Sequence, residues 1–465
     1  MQSSLTPAAL VREAAGGGGE AGFKKVVRPR SPLLLSLGSR VHVFRFGHAP
    51  SGALELEDDT FKAVKPGLSS HAGDPAGAAA SLQPLLDLAL ATVPPPKHAA
   101  TALMVGATAG LRLLPGGQAD EILAGVRARL AADSPFAVDA AAGVTILDGQ
   151  AEGAFAWLTL NYLLGHLGKP AEATVAAIDL GGGSVQHAYA LHARDADGAP
   201  PGYVRALAGG GRRYSVYVHS YLGFGLMAGR SAVLAAGETA AAAAGAAAGH
   251  PCVPAAPCGG AQPAAGDDAS RKERAGDAAG AAGAGPPPSC AYTYGPATHD
   301  LSAASTGGAS FGHCSAVAKD ALAKGRPCGA PADQCSFDGA WGGAGRPSAL
   351  YVSSYFWDRA VDAGLVPAAA AVAASLSPAD LRAAGERACA ASTDAVRAAF
   401  PAAAPDLAPY MCLDLAFQHA LLTHGFGLPE AQGVTLVKKV AYRGREVEAA
   451  WPLGAALDAL AALAA

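Results

Sequence analysis

No cysteine occurs before Cys252, lysine and arginine never gather into a stripe, and no apolar stretch reaches the roughly 20 residues that a membrane-crossing helix takes. Each absence excludes something. Without a basic stripe, and with a formal net charge of -4, the chain has no surface of the kind that neutralises nucleic-acid phosphates. A small-molecule substrate is expected, with no nucleic-acid partner, on a monomer or weak oligomer. The C-terminal stretch 451–465 is apolar but contains Asp458 and is too short to span a bilayer, so no membrane span is expected. Aromatic residues are only 6% and charged residues 15%, while alanine inflates the apolar fraction of 51%. The 59 glycines and 33 prolines point to small-residue loops rather than to a richer interior.

The eight cysteines are Cys252, Cys258, Cys290, Cys314, Cys328, Cys335, Cys389 and Cys412. No Cys-x-x-Cys pair and no Cys/His spacing of a zinc site is present. An even number of dispersed cysteines reads as disulfides made in an oxidising compartment, with free buried thiols in a cytosolic protein as the alternative. The segment 1–30 carries Arg12, Lys24, Lys25, Arg28 and Arg30, lacks the apolar run of a signal peptide, and reads as disordered.

A chain of 465 residues exceeds what one hydrophobic core usually supports, so two lobes are expected. From Ser31 to Lys169, β-like runs at 41–46, 102–106 and 144–147 alternate with helical patterns at 82–91, 119–131 and 154–167. This places a first α/β lobe at 31–172. A second opens at 173 and runs to 435: a strand at 174–180 turns through Gly181-Gly182-Gly183 and returns at 185–191 as a hairpin. Within it, 235–288 is Ala/Gly/Pro-rich and reads as an insertion loop, and 290–341 as an irregular cysteine-bearing excursion. Helical patterns return at 350–364, 378–399 and 411–425, and 436–465 is expected to pack back on the first lobe. A weak internal echo links Gly38-Ser39-Arg40-Val41-His42-Val43-Phe44 with Gly183-Ser184-Val185-Gln186-His187-Ala188-Tyr189, each a glycine turn entering an alternating strand.

Three segments carry chemistry. In Asp179-Leu180-Gly181-Gly182-Gly183-Ser184-Val185-Gln186, consecutive glycines let backbone N–H groups converge on phosphate oxygens, and Ser184 adds a hydroxyl. Asp179 is placed to hold a divalent cation through water, and Gln186 to orient a nucleophilic water. A plain hairpin with a capping Asp is the bland reading. In Ala107-Thr108-Ala109-Gly110-Leu111-Arg112, a strand ends before a helix, so Thr108 offers a hydroxyl at a turn whose N–H groups favour an anion. A purely structural strand-to-helix turn fits equally, and Arg112 reads as a structural ion pair. Glu152 enters an apolar helix: it either complements the helix dipole or acts as general base toward water. Trp157 and Tyr162 read as core.

Together, and in this order, these segments resemble the conserved regions of the apyrase (nucleoside triphosphate diphosphohydrolase) family. Tyr217-Val218-His219-Ser220-Tyr221-Leu222-Gly223-Phe224-Gly225 and Cys412-Leu413-Asp414-Leu415-Ala416-Phe417-Gln418-His419-Ala420-Leu421-Leu422 resemble two further blocks. The resemblance implies a two-lobed α/β fold, actin-like with duplicated ribonuclease-H-type lobes, and an active site in the interlobe cleft. It implies hydrolysis of nucleoside tri- and diphosphates by direct attack of water, with Mg2+ or Ca2+ bridging the phosphates. Glu152 matches the catalytic base and Thr108 a water-positioning residue. Asp179, Gly181, Gly182, Gly183, Ser184 and Gln186 match the second phosphate loop, and Gly38, Ser39 and Arg40 the first. Trp357 and Phe417 are the nearest matches to aromatic residues that clamp the nucleoside base. The resemblance also implies the disulfides Cys328–Cys335 and Cys389–Cys412, and an address in the secretory pathway lumen (Golgi) or outside the cell.

One block departs from the family. Relatives read Asp-Ala-Gly-Ser-Ser/Thr-Gly-Ser-Arg where this chain reads Leu33-Leu34-Leu35-Ser36-Leu37-Gly38-Ser39-Arg40. Leu33 stands in place of a metal-organising Asp and Leu35 in place of a Gly. Two further readings follow: a catalytically impaired homologue that retains nucleotide, and a sugar kinase of the same fold, which Glu152 and the cysteine-rich excursion disfavour.

Overall fold

The computed structural model describes residues 30–36, 38–49, 53–139, 143–243, 249–254, 291–301, 309–345, 347, 349–367 and 373–464. Two sheets carry it. In the first, β1 (Arg30–Ser36), β2 (Gly38–His48) and β3 (Leu54–Val64) form an antiparallel meander, and β4 (Ala102–Ala107) adds parallel to β1. β5 (Ala137–Val138) and β6 (Val144–Ile146) both pair parallel with β4. In the second, β7 (Ala176–Leu180) pairs antiparallel with β8 (Ser184–Ala190). The chain returns through β9 (Val204–Gly209) and β10 (Arg212–Leu222), and β10 pairs with β8. The hairpin β11 (Ala291–Tyr294) and β12 (Ala297–Asp300) stands apart. β13 (Leu350–Ser354) then adds parallel to β7, and β15 (Val434–Val437) to β13, with β14 (Ala373–Leu376) antiparallel on the edge.

The two lobes therefore share one core topology, in which parallel strands join an antiparallel hairpin on the side of its first strand, a third antiparallel strand lies on its other side, and β9 is added outside β10 in the second lobe. This is the two-lobed, duplicated arrangement expected. The echo between the two glycine turns marks equivalent hairpins, β1–β2 and β7–β8. Parallel neighbours require crossovers, and helices supply them, as in Gln118–Asp133 between β4 and β5. β2 shows why the first sheet is covered on both faces. Val41 and Val43 enter one core while Phe44 and Phe46 enter another.

Helix Gly149–Leu163 lies at the join, buried along nearly its whole length, as an all-round apolar helix must be. It starts earlier than the expected 154 because Asp148 accepts the N–H of Ala151. The C-terminal hairpin β16 (Lys439–Tyr442) and β17 (Arg445–Glu448) lies against the β2–β3 edge, where Arg443 and Arg445 pair with Glu55 and Asp58. Helix Trp451–Ala464 then packs on helix Gly149–Leu163 at Gly454, where any Cβ would strike the Phe155 carbonyl.

Three expectations change. Residues 235–243, read as the start of an insertion loop, continue helix Leu226–Ala243, because an alanine run is the strongest helix former. Residues 244–248 and 255–288 of that insertion, with Cys258, lie outside the described residues, as do Cys290 and 1–29. The excursion at 290–341 holds the regular helix Phe311–Ala321, and 350–354 is the strand β13 rather than the start of a helix. Disulfides join Cys252 to Cys314, Cys328 to Cys335 and Cys389 to Cys412.

Candidate active site

The helix that carries Glu152 begins against the second sheet because its first turns contain two glycines. A Cβ on Gly149 would strike Ser220 Oγ, and one on Gly153 would lie 2.8 Å from Val218 and 3.1 Å from Gln186. Glu152, 7% exposed, is thereby brought to Gln186 and Ser184 at the start of β8. Gln186 Nε2 donates to Ser184 Oγ at 2.6 Å and to Ser220 Oγ at 2.9 Å, and lies 3.4 Å from Glu152 Oε2. Arg112 Nη2 donates to Glu152 Oε2 at 2.8 Å and to Ser184 Oγ at 3.2 Å, and Nη1 to the Leu147 carbonyl at 2.9 Å. Burial raises the Glu152 carboxyl; Arg112 opposes it, Asp179 and Asp148 add to it, and the outcome is a pKa of about 7.

The glycine turn is held from behind. Its carbonyls at Gly181, Gly182 and Gly183 accept N–H groups from Leu226, from Met227 and Ala228, and from Gly223. Gly225 permits this approach, since a Cβ there would strike the Ser184 nitrogen. Gly181 N–H donates to the Ser184 carbonyl, while the N–H groups of Gly182 and Gly183 donate to no carbonyl among the described residues. A pocket of about 180 Å³ opens beside them, between Gly182, Gly183, Met227 and Tyr294 of one lobe and Gly110 and Leu113 of the other. Thr108, 2% exposed, starts the turn of helix Ala109–Arg112 that delivers Arg112.

Asp179 stands one residue before the end of β7, with Oδ1 accepting from Ser353 Oγ at 3.1 Å. Burial raises its carboxyl, against hydrogen bonds from Ser354 and Ser353 and the charge of Arg40. Ser354 sits at φ 59, a strained conformation for a non-glycine residue, at the point where its hydroxyl serves Asp179. β1 and β2 are paired up to Ser36 opposite Gly38. Ser39 is fully buried, and its hydroxyl has no hydrogen-bond partner among the described residues. Arg40 Nη1 lies 3.6 Å from Glu448 Oε1. The side chains of Leu33 and Leu35 lie outside the described set.

The aromatic clamp is corrected. Trp357 is 3% exposed and Phe417 fully buried, both within the second lobe's core, with the Phe417 ring seated over Gly229. Neither presents a face to the cleft. Sequence reasoning also assigned Arg112 to the scaffold and missed Ser220, Ser353, Ser354 and Glu448. The Ser353-Ser354 pair at the end of a β-rich run was the available signal for two of them.

Residues 35–465 match the model of the GDA1/CD39 (nucleoside phosphatase) family. The chain belongs to this family. It is 40% identical over 432 residues to a probable apyrase 1 of Oryza sativa subsp. japonica, covering 91% of this chain and 80% of that protein. It is 36% identical over 443 residues to a nucleoside-triphosphatase of Pisum sativum (92% and 87% covered). With a guanosine-diphosphatase of Schizosaccharomyces pombe it shares 33% identity over 448 residues (91% and 72% covered). Among solved structures, a crystal structure of nucleoside triphosphate hydrolases from Neospora caninum superimposes with a TM-score of 0.59 at 17% identity, over 93% of this chain and 92% of that one. That likeness shows the fold. GDA1/CD39 enzymes depend on a divalent cation. Among the described residues no group of three or more His, Cys, Asp or Glu gathers as a ligand cage. The donor set of this GDA1/CD39 cleft, Asp179 with hydroxyl and amide oxygens, nonetheless fits a hard cation that keeps water and takes its other ligands from phosphate. Among the described residues no helix is long and apolar enough to cross a membrane.

Proposed function

We propose that this GDA1/CD39 chain hydrolyses the terminal phosphate of nucleoside tri- and diphosphates by direct attack of water, with Glu152 as general base. One observation carries the proposal: the Glu152 carboxylate, Ser184 and Gln186 converge at the edge of the glycine turn, and burial sets the Glu152 pKa to about 7. A base poised there is half ionised near neutral pH and takes a proton readily. Relatives that carry the names apyrase, nucleoside-triphosphatase and guanosine-diphosphatase support the same reading.

In this reading the N–H groups of Gly182 and Gly183 take the phosphate oxygens, Gly181 closes the turn through its bond to the Ser184 carbonyl, and Gly38, Ser39 and Arg40 join from the other lobe. Thr108, Ser184 and Gln186 orient the water. Its oxygen bonds to the terminal phosphorus while the bond from that phosphorus to the leaving nucleotide's oxygen breaks, and the water's proton passes to Glu152. Asp179 would hold the water of a bound Mg2+ or Ca2+, which would supply charge to offset that of the phosphates. The protein contributes positioning and electrostatic stabilisation, as phosphoryl transfer requires. Three disulfides fit an oxidising compartment, the secretory pathway lumen (Golgi) or the exterior. The impaired-homologue reading draws on Leu33 and Leu35 alone and gains no support from the assembled Glu152 site.

The test is phosphate release from ATP, ADP, GDP and UDP with Mg2+ or Ca2+, before and after Glu152→Gln. Release that survives the substitution unchanged removes Glu152 from the role of base. No release from any of the four, by a folded chain, removes the hydrolase reading.

A further inference from the structure

A hairpin from the far end of the chain reaches the first glycine turn. At the end of β17 the Glu448 carboxylate meets two side chains of β2: Oε1 lies 3.6 Å from Arg40 Nη1, and Oε2 lies 3.2 Å from His42 Nε2. His42 is gripped from its other side by Asp59 of β3, whose oxygens lie 3.0 and 3.2 Å from Nδ1. The rings of Phe44 and Phe61 flank the imidazole. An imidazole with a carboxylate beside each nitrogen attracts both only as the doubly protonated cation, and toward Glu448 that attraction is of charge, since neither His42 Nε2 nor Glu448 Oε2 makes a hydrogen bond of good geometry among the described residues. Burial opposes that charge, the two carboxylates outweigh it, and the pKa rises to about 9. Arg40 differs from His42 in being long and 38% exposed, and its one ion pair among the described residues is with Glu448. Arg40 lies two residues beyond Gly38, at the start of the strand that leaves the first turn, so the pair stands at that turn.

We infer that Glu448 is a positioning residue for phosphate binding: held by His42, which Asp59 fixes from its other side, it holds Arg40 at the first turn, so the C-terminal hairpin completes the first phosphate turn. At 3.6 Å the pairing orients the guanidinium and leaves its other N–H donors for phosphate oxygens. The inference rests on the proposed phosphate role of Arg40. It also gives a first turn that lacks its Asp a cationic contact built from outside the turn.

ADP binding is measured by calorimetry on the full chain carrying Glu152→Gln, so that turnover is not needed, and KM and kcat are measured without that change. Glu448→Gln is expected to weaken ADP binding and raise KM roughly tenfold while kcat stays within about twofold, the signature of lost ground-state binding. Glu448→Asp, one methylene short but still charged, is expected to fall between; it carries the test if Glu448→Gln does not fold. Combining either with Arg40→Gln is expected to weaken ADP no further than Arg40→Gln alone. Effects that multiply, or ADP affinity indifferent to Glu448 while melting temperature falls, overturn the inference and leave the proposed hydrolysis intact. Glu448-dependent ADP binding without phosphate release overturns the hydrolysis and leaves the inference. A folded chain that binds no ADP overturns both.

Discussion

The guanidinium of Arg112 lies 2.8 Å from Glu152 Oε2 and 3.2 Å from Ser184 Oγ, so one side chain of the first lobe touches both the candidate base and the exit of the second lobe's glycine turn. Arg112 is the largest influence that keeps the buried Glu152 from holding its proton more tightly still. With Arg112→Met the burial is unopposed. The acidic limb of kcat/KM against pH, expected near 7 in the unaltered chain, should move to higher pH, and kcat/KM at neutral pH should fall on the order of tenfold per unit moved. Arg112→Lys should restore part of the limb. A limb that stays in place on Arg112→Met shows that the pair does not tune the base.

Glu152→Gln removes the proton acceptor and keeps the shape. Phosphate release should fall by roughly 100- to 10,000-fold in kcat, with KM changed little. The same variant has a stability signature. A carboxyl whose folded pKa is raised from 4.5 to about 7 binds more protons folded than unfolded between those values, so the slope of stability against pH is negative there. The unaltered chain should lose stability as pH rises through that window, and the Gln variant should not. Melting temperatures of both at pH 5 and pH 8 check this: the gap should widen in favour of the variant at the higher pH.

Much of this site was legible because its backbone requirements are written in residue types. Three glycines after Asp179 announce a turn that only a small-residue backbone can make, and the strands on either side alternate as a half-buried hairpin must. The Glu152 helix was legible as apolar, but its start was not, because Asp148 as cap and Gly149 and Gly153 as contact points acquire meaning only against Ser220, Val218 and Gln186. Arg112 looked structural for the same reason: forty residues separate it from Glu152, and nothing local marks the pairing. The base clamp failed on depth. Trp357 and Phe417 carry the right chemistry, yet their helices turn them into a core that periodicity alone cannot distinguish from a cleft wall.

Gly225 tests how rigidly the second turn must be held. Its Cα faces the Gly182, Gly183 and Ser184 backbone so closely that an added methyl has nowhere to go without moving the turn, and the obstacle is backbone rather than a flexible side chain. Gly225→Ala should leave a folded chain whose kcat/KM for nucleotide falls on the order of 100-fold, as expected of a displacement of about 1 Å at a phosphate site. Gly427→Ala, at a glycine with no atom near its missing Cβ but with φ 72, should cost about 1 kcal/mol in stability and leave kcat/KM unchanged. Equal losses of activity in the two would show that the turn has no special need of Gly225.

The first turn supplies the sharpest test of what the chain has lost. Leu33 and Leu35 occupy the places where the family pattern carries a carboxylate and a glycine, and they sit on β1 in register with Val41 and Ser39 of β2. A leucine cannot order a cation's water, and the family pattern asks at the second position for a glycine, which lets backbone approach an anion. Leu33→Asp and Leu35→Gly together should therefore raise phosphate release with Mg2+ or Ca2+ by about tenfold or more, mostly in kcat, provided that Asp179, Ser184 and Glu152 already form the other half of the site. The gain should vanish when Glu152→Gln is added, because a restored phosphate turn without the base only binds. If the doubly altered chain folds, binds ADP and still releases no phosphate, the half of the site built around Glu152 is not competent for hydrolysis, and the assignment of base chemistry to it fails.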